Sequence, residues 1–122
     1  MRHPKLKVVF AESTLGWGAY QLEFADQQAR EDGIHLEGYD LPPTELFKRQ
    51  CFLTGWYGRA GIQTRRFIGA DNIMWSTNFP LATSSWPRTR EHVARGFEDV
   101  PDGEREAILW RTAANLYSLQ LV

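Results

Sequence analysis

The chain has a single cysteine, Cys51, among 122 residues. One cysteine excludes an internal disulfide and suits a reducing compartment. No apolar run approaches the roughly 20 residues of a membrane span, and no signal-peptide pattern opens the chain. A cytoplasmic location without a membrane partner is therefore expected. Charge of one sign is also missing. The 14 basic and 15 acidic residues leave a net charge of −1, with no phosphate-matching excess, so no nucleic-acid partner is expected. The densest basic stretch, Arg88 to Arg95, contains Glu91 and helical apolar spacing, and reads as a solvated helix face. No glycine-rich phosphate loop is present. Ser13, Thr77 and Ser84 have no base at a recognisable motif spacing, so no nucleophile arrangement is read. The three histidines, His3, His35 and His92, fall before a strand, in a loop and on a helix face. For each, a surface or structural role is the expectation.

What is present describes one globular domain over residues 1–122. Hydrophobic residues make up 43% of the chain, charged residues 24%, and there are five tryptophans. That composition supports a modest core and argues against disorder. Leu6 to Ala11 is a β-branched, apolar strand ending at Glu12-Ser13. From Trp17 to about Arg30, the residues Trp17, Tyr20, Leu22, Phe24 and Ala25 fit a partly amphipathic helix. Residues 34–43 read as a loop. Thr44 is then a plausible N-cap for a short helix from Glu45 to Gln50. Cys51 to Thr54 is a second strand ending at Gly55, with Cys51 as a small buried apolar residue at its start. A helix from Gly61 to Gly69 follows, with Ile62, Phe67 and Ile68 as core candidates. Pro87 to about Phe97 and a final segment from Pro101 complete the helices. That last one carries Ala107, Ile108, Trp110, Ala113, Ala114, Leu116 and Tyr117 on a broad apolar face.

Between them lies the stretch that organises the chain. Gly69-Ala70-Asp71 closes the preceding helix, and Ile73-Met74-Trp75 is a short apolar run, the mark of a strand buried on both faces. It stops at Ser76-Thr77-Asn78, before Phe79-Pro80 turns the chain away and Trp86-Pro87 opens the next helix with proline in its first turn. The order strand, helix, strand, helix, strand, helix predicts an α/β fold with a parallel sheet and right-handed crossovers. Such sheets present working groups at the ends of their strands. Asn78, at the tip of the third strand, is the first candidate, Glu12 at the tip of the first is the second, and Trp86 is a candidate for lining a substrate mouth or for packing the loop. Glu12 has a structural reading as well: it could cap Gly16-Trp17 or hydrogen-bond a neighbouring strand tip.

Several stretches resemble one family in order. His3 to Ser13, followed by Gly16-Trp17, looks like a late strand of the amidohydrolase-related family. These are metal-dependent (β/α)8 barrels that include decarboxylases of the aminocarboxymuconate-semialdehyde type. Glu45 to Phe52 resembles the short helix leading into its seventh strand, and Gly69 to Pro80 with Ser85-Trp86-Pro87 resembles its eighth strand and following loop. Glu104 to Leu119, with Ala113-Ala114-Asn115-Leu116-Tyr117, is similar to its closing helix. The resemblance implies the last three β/α units of a TIM barrel, a C-terminal portion of the domain whose His-x-His would lie upstream of Met1.

The resemblance also implies a function and marks departures. The parent reaction would be metal-dependent hydrolysis or non-oxidative decarboxylation of a small carboxylate or amide substrate, a hydrolase or carbon–carbon lyase activity. The cofactor would be a divalent metal, zinc first. The family's eighth strand usually ends in an aspartate beside the metal; Asn78 stands there, and Leu81 replaces the histidine of that motif. Where many members carry a histidine at the end of the first of these strands, this chain has Glu12. Asn78 could offer its carbonyl oxygen to a metal but cannot act as a base, whereas Glu12 could ligate or move a proton. On this reading Glu12 and Asn78 are the catalytic candidates, Asn78 the metal ligand and Trp86 the substrate contact. The isolated chain is expected to be inactive. The other reading is a non-catalytic α/β binding or assembly module that has lost its metal centre. Uncovered sheet edges predict self-association.

Overall fold

A computed structural model describes residues 3–31 and 41–120. Three strands, β1 (Val8–Phe10), β2 (Cys51–Gly55) and β3 (Ile73–Trp75), form a parallel sheet in the order β1-β2-β3. Val9 pairs with Phe52 and Leu53 with Ile73. Helix α1 (Gly16–Glu31) joins β1 to α2 (Pro43–Gln50), which leads directly into β2. Two short helices, α3 (Arg59–Gln63) and α4 (Arg65–Ile68), then a 3-10 turn (Ala70–Asn72), carry the chain to β3. Helix α5 (Thr89–Gly96) follows a long loop, and α6 (Asp102–Glu106), a π-turn (Ala107–Arg111) and α7 (Thr112–Leu116) make one continuous closing helix. The expected parallel α/β arrangement is what the sheet shows. No helix among the described residues is long and apolar enough to cross a membrane.

Alternate strand residues separate the two faces. Leu53 and Ile73 are completely buried and join Leu15, Ile62, Ile68, Phe97, Val100 and Ile108 in the core. Gly18 lets α1 reach that layer, because a Cβ there would lie 2.7 Å from Leu53 Cδ1 and 3.2 Å from Ile68 Cδ1. This contact decides the orientation of α1, and it corrects the expected helix face. Gly18 and Leu22 are the buried residues of α1, while Trp17, Tyr20 and Phe24 stay substantially exposed, Tyr20 stacked on Phe24 at 6.1 Å. In the closing helix Ala107, Ile108 and Ala114 are buried, but Trp110 and Tyr117 are exposed.

Further expectations need correction at local boundaries. Thr44 is not an N-cap: α2 begins at Pro43 with Pro42 in the capping position. The Thr44 N–H instead donates to Asp26 Oδ1 at 2.9 Å, so a carboxylate of α1 satisfies an orphan amide of α2. The helix expected from Gly61 to Gly69 is broken at Thr64, whose hydroxyl donates to the Gly61 carbonyl at 2.6 Å, a local competition that bends helices. Gly69, at φ 99°, ends α4 in a conformation that favours glycine. Helix α5 starts at Thr89, not Pro87. The Ser85 and Trp86 amides point back to Thr77 O and Ser84 Oγ, and the first helical acceptor is Arg88 O. The solvated face expected for this segment holds: Arg88, Arg90 and Arg95 are exposed. His35 and most of the expected loop at 34–43 lie outside the described residues.

Phe67, expected in the core, is 59% exposed, and its neighbour Arg65 is 2% exposed in its place. The Arg65 guanidinium donates to Glu104 Oε2 at 2.5 Å, to Gln63 Oε1 at 3.1 Å and to Ile62 O at 3.3 Å. It thereby ties α4 to α6. Removing the carboxylate strands a buried cation. Glu104→Ala is expected to cost about 2 kcal/mol, below the figure for a fully buried pair because Glu104 is half exposed and water-screened. Replacing both partners by Met and Leu is expected to recover most of that loss. Urea titration of the three variants checks both outcomes.

Candidate functional site

All three strands run parallel, so their C-terminal tips lie along one edge of the sheet. The tips are tied together through β2. Thr54 Oγ1 accepts the Glu12 N–H at 3.0 Å and donates to Phe10 O at 3.3 Å. Gly55 O accepts the Ser76 N–H at 2.9 Å. Glu12 and Asn78 are thus placed on one end of the sheet, at the tips of the two outer strands. With β2 between them, two strand spacings separate these tips, roughly 10 Å.

The backbone here is unusual. Glu12 (φ 54°), Thr14 (φ 59°) and Asn78 (φ 56°) occupy the left-handed region without being glycine. Such residues persist only where their surroundings over-determine them, and they cluster at working sites. Thr14 is the most telling, since a β-branched side chain is rarely found there. Around Glu12 the surroundings are visible: Ser13 Oγ donates to Phe10 O at 2.9 Å, and the Trp17 indole donates to Ser13 O at 2.8 Å. It is the Ser13 carbonyl, not the Glu12 carboxylate, that takes the Trp17 contact. The Glu12 side chain is exposed.

Asn78 is buried, and its Nδ2 donates to Thr83 Oγ1 at 2.8 Å. That leaves Oδ1 as an acceptor, and the second Nδ2 N–H as a donor, with which Asn78 can serve a ligand. Trp86 is exposed and meets Phe79 edge-on at 5.3 Å. Among the described residues no group of three or more His, Cys, Asp or Glu side chains is placed to hold a metal ion. His3 is exposed ahead of β1, and His92 is half-buried on α5.

Some residues of this edge were not singled out from the sequence. Thr54 is a bracing hydroxyl, and Trp56, just beyond β2, is buried with an indole N–H that finds no partner among the described residues. The available signal for Trp56 was its place immediately after a strand tip. Cys51 sits at the opposite end of the sheet, half-buried. Burial pushes its thiol above the ordinary range, and the nearby Lys7 charge opposes this only in part.

Two outcomes are expected. Thr14→Gly relieves the left-handed strain and should raise unfolding stability by about 1 kcal/mol in denaturant titration. Cys51 alkylation by iodoacetamide should be slower than that of a free thiol at pH 8, and its rate should still be climbing above pH 9, because the thiolate forms late.

Comparison with known proteins places this geometry. The sequence profile of a family described as amidohydrolase matches residues 1–119. None of the curated proteins matches the chain. Among solved structures, 5-carboxyvanillate decarboxylase LigW from Sphingomonas paucimobilis, a TIM-barrel enzyme, superposes with a TM-score of 0.73 at 19% identity. The match covers 98% of this chain and 36% of that one. At that identity the likeness carries the fold, which is part of a barrel, and the chain spans about a third of the length of the decarboxylase.

Proposed function

Because the chain belongs to the amidohydrolase family, we propose that its strand tips form part of the substrate face of an enzyme acting on a small carboxylate or amide, by metal-assisted hydrolysis or non-oxidative decarboxylation. The observation that carries this reading is the left-handed backbone at Glu12, Thr14 and Asn78, gathered on one end of a parallel sheet. Strain of this kind is kept where a group must be aimed. The fold likeness to a decarboxylase supports the choice of reaction.

The roles follow from the chemistry of each group. Glu12 is an exposed carboxylate at a fixed backbone position and is the residue able to carry a proton to or from the reacting carbon or water. Asn78 cannot do this; its Oδ1 accepts a hydrogen bond from substrate, or lends a neutral donor to a metal. Trp86 offers an apolar surface on the loop that follows Asn78. The family generally relies on a divalent metal, and zinc is the ion proposed for the parent enzyme. The residues described here do not complete its ligand set. They contribute at most the Glu12 carboxylate and the Asn78 carboxamide, whereas a catalytic zinc takes about three protein ligands. The task of this chain's own residues is therefore substrate holding and proton movement.

Titrating the 15N-labelled chain with 5-carboxyvanillate as a probe, with and without zinc, tests the reading. Amide resonances of Glu12, Thr14 and Asn78 should shift, and no carbon dioxide should be released by the isolated chain. Shifts confined to Lys7, Cys51 and Asn72, at the other end of the strands, would contradict the substrate face. Zinc-dependent turnover would contradict the incomplete ligand set.

A further inference from the structure

Strand β1 leaves its ladder with β2 early. The register runs Val8 to Cys51, Val9 to Phe52 and Phe10 to Leu53, and stops there. Two residues further on, the Glu12 N–H is held by a side chain of β2, Thr54 Oγ1, at 3.0 Å. The same hydroxyl donates its proton to Phe10 O at 3.3 Å. One side chain thus spans the bend, donating ahead of it and accepting beyond it. Ser13 Oγ also donates to Phe10 O, at 2.9 Å, but that contact lies within the turn. Thr54 refers the turn to the neighbouring strand.

The consequence is directional. The angle φ is a rotation about the N–Cα bond, and it carries Cβ with it. Glu12 sits at φ 54°, about 170° from the roughly −120° of a parallel strand. With β1 fixed behind it, an extended Glu12 would send its Cβ to the opposite side of that bond. A left-handed glutamate is disfavoured when left to itself. A single hydrogen bond from outside the turn is of a size to offset that cost.

We infer that Thr54 is a positioning residue for Glu12, its hydroxyl deciding to which side of the β1 tip the carboxylate projects. The inference rests on the substrate face proposed above and deepens it, because it assigns the aim of that face's acid to one side chain of the middle strand. Valine at this position keeps the shape and removes the acceptor, whereas serine keeps the acceptor.

The test uses the 15N,13C-labelled chain. In Thr54→Val the Glu12 amide–Hα coupling, which reads φ, should move to the extended-strand value. The Cα–Cβ residual dipolar coupling of Glu12 should change with it, while the β1–β2 ladder amides stay protected. Binding of 5-carboxyvanillate, followed at the Glu12 amide, should weaken about fivefold. Thr54→Ser should restore all three readings, and Ser13→Ala should leave them in place. Thr54→Ala repeats the test without the added methyl. If Glu12 keeps its left-handed coupling in both Thr54→Val and Thr54→Ala, or loses it equally in Ser13→Ala, the turn aims itself and the inference is overturned. If the aim changes and binding does not, the inference fails and the substrate face stands. If the aim follows Thr54 but the probe never shifts Glu12 in the unsubstituted chain, the positioning stands and the substrate face falls.

Discussion

The C-terminal edge of the sheet depends on two adjacent residues at the end of its middle strand. Thr54 takes the amide of Glu12 through its hydroxyl, and Gly55 takes the amide of Ser76 through its carbonyl. Neither contact is strong alone, at about 1 kcal/mol net for an ordinary hydrogen bond. Their effect is geometric: both outer strand tips are referred to one central strand, which is itself anchored by the fully buried Leu53. The left-handed conformations at Glu12, Thr14 and Asn78 can persist because their neighbours are held on both sides. At the other end of the sheet, buried Asn72 plays a similar part, with Nδ2 donating to Lys48 O at 2.7 Å and Cys51 O at 2.8 Å. That amide joins the end of α2, the start of β2 and the turn before β3.

Two kinds of polarity follow from this frame. At β1 the carboxylate of Glu12 is exposed while its backbone is braced. At β3 the serines, threonines and Asn78 are turned largely inward on their own loop, and the outward surface is Phe79 and Trp86. The polar groups of the two outer strand tips thus differ in setting: an exposed carboxylate on one, internally bonded hydroxyls and a carboxamide on the other. An asparagine where an acid is usual fits the second setting, since a neutral side chain can be buried and bonded to Thr83 without the desolvation cost of a carboxylate.

Much of the fold was legible in the chain. The apolar runs at Val8, Cys51 and Ile73 are strands of a parallel sheet, because short β-branched or apolar runs between helical segments leave few other solutions. The family was legible too, from motifs spread along the whole chain. What was not legible depends on contacts far apart in sequence. Asp26 capping Thr44, Arg65 meeting Glu104 and Gly18 admitting Leu53 join residues 18, 39 and 35 positions apart. Periodicity assigned Trp17, Tyr20 and Phe24 to the buried face of α1, since large apolar residues outweigh a glycine in any such pattern. Close approach to the sheet favours the glycine instead. At the tips, sequence placed Glu12 and Asn78 at the C-terminal ends of their strands, as the structure has them, but could not tell a free polar group from a bonded one. That distinction belongs to the loop's internal geometry.

Amide hydrogen exchange of the free chain tests the braced edge most directly, since every feature proposed for it requires strand tips and loop to be built before any ligand arrives. The amides of Glu12, Ser76 and Ser85, each with a defined acceptor, should exchange as slowly as those of β2. If these amides exchange at the rate of an open loop while β2 stays protected, the tips are not pre-formed and the account fails at its foundation.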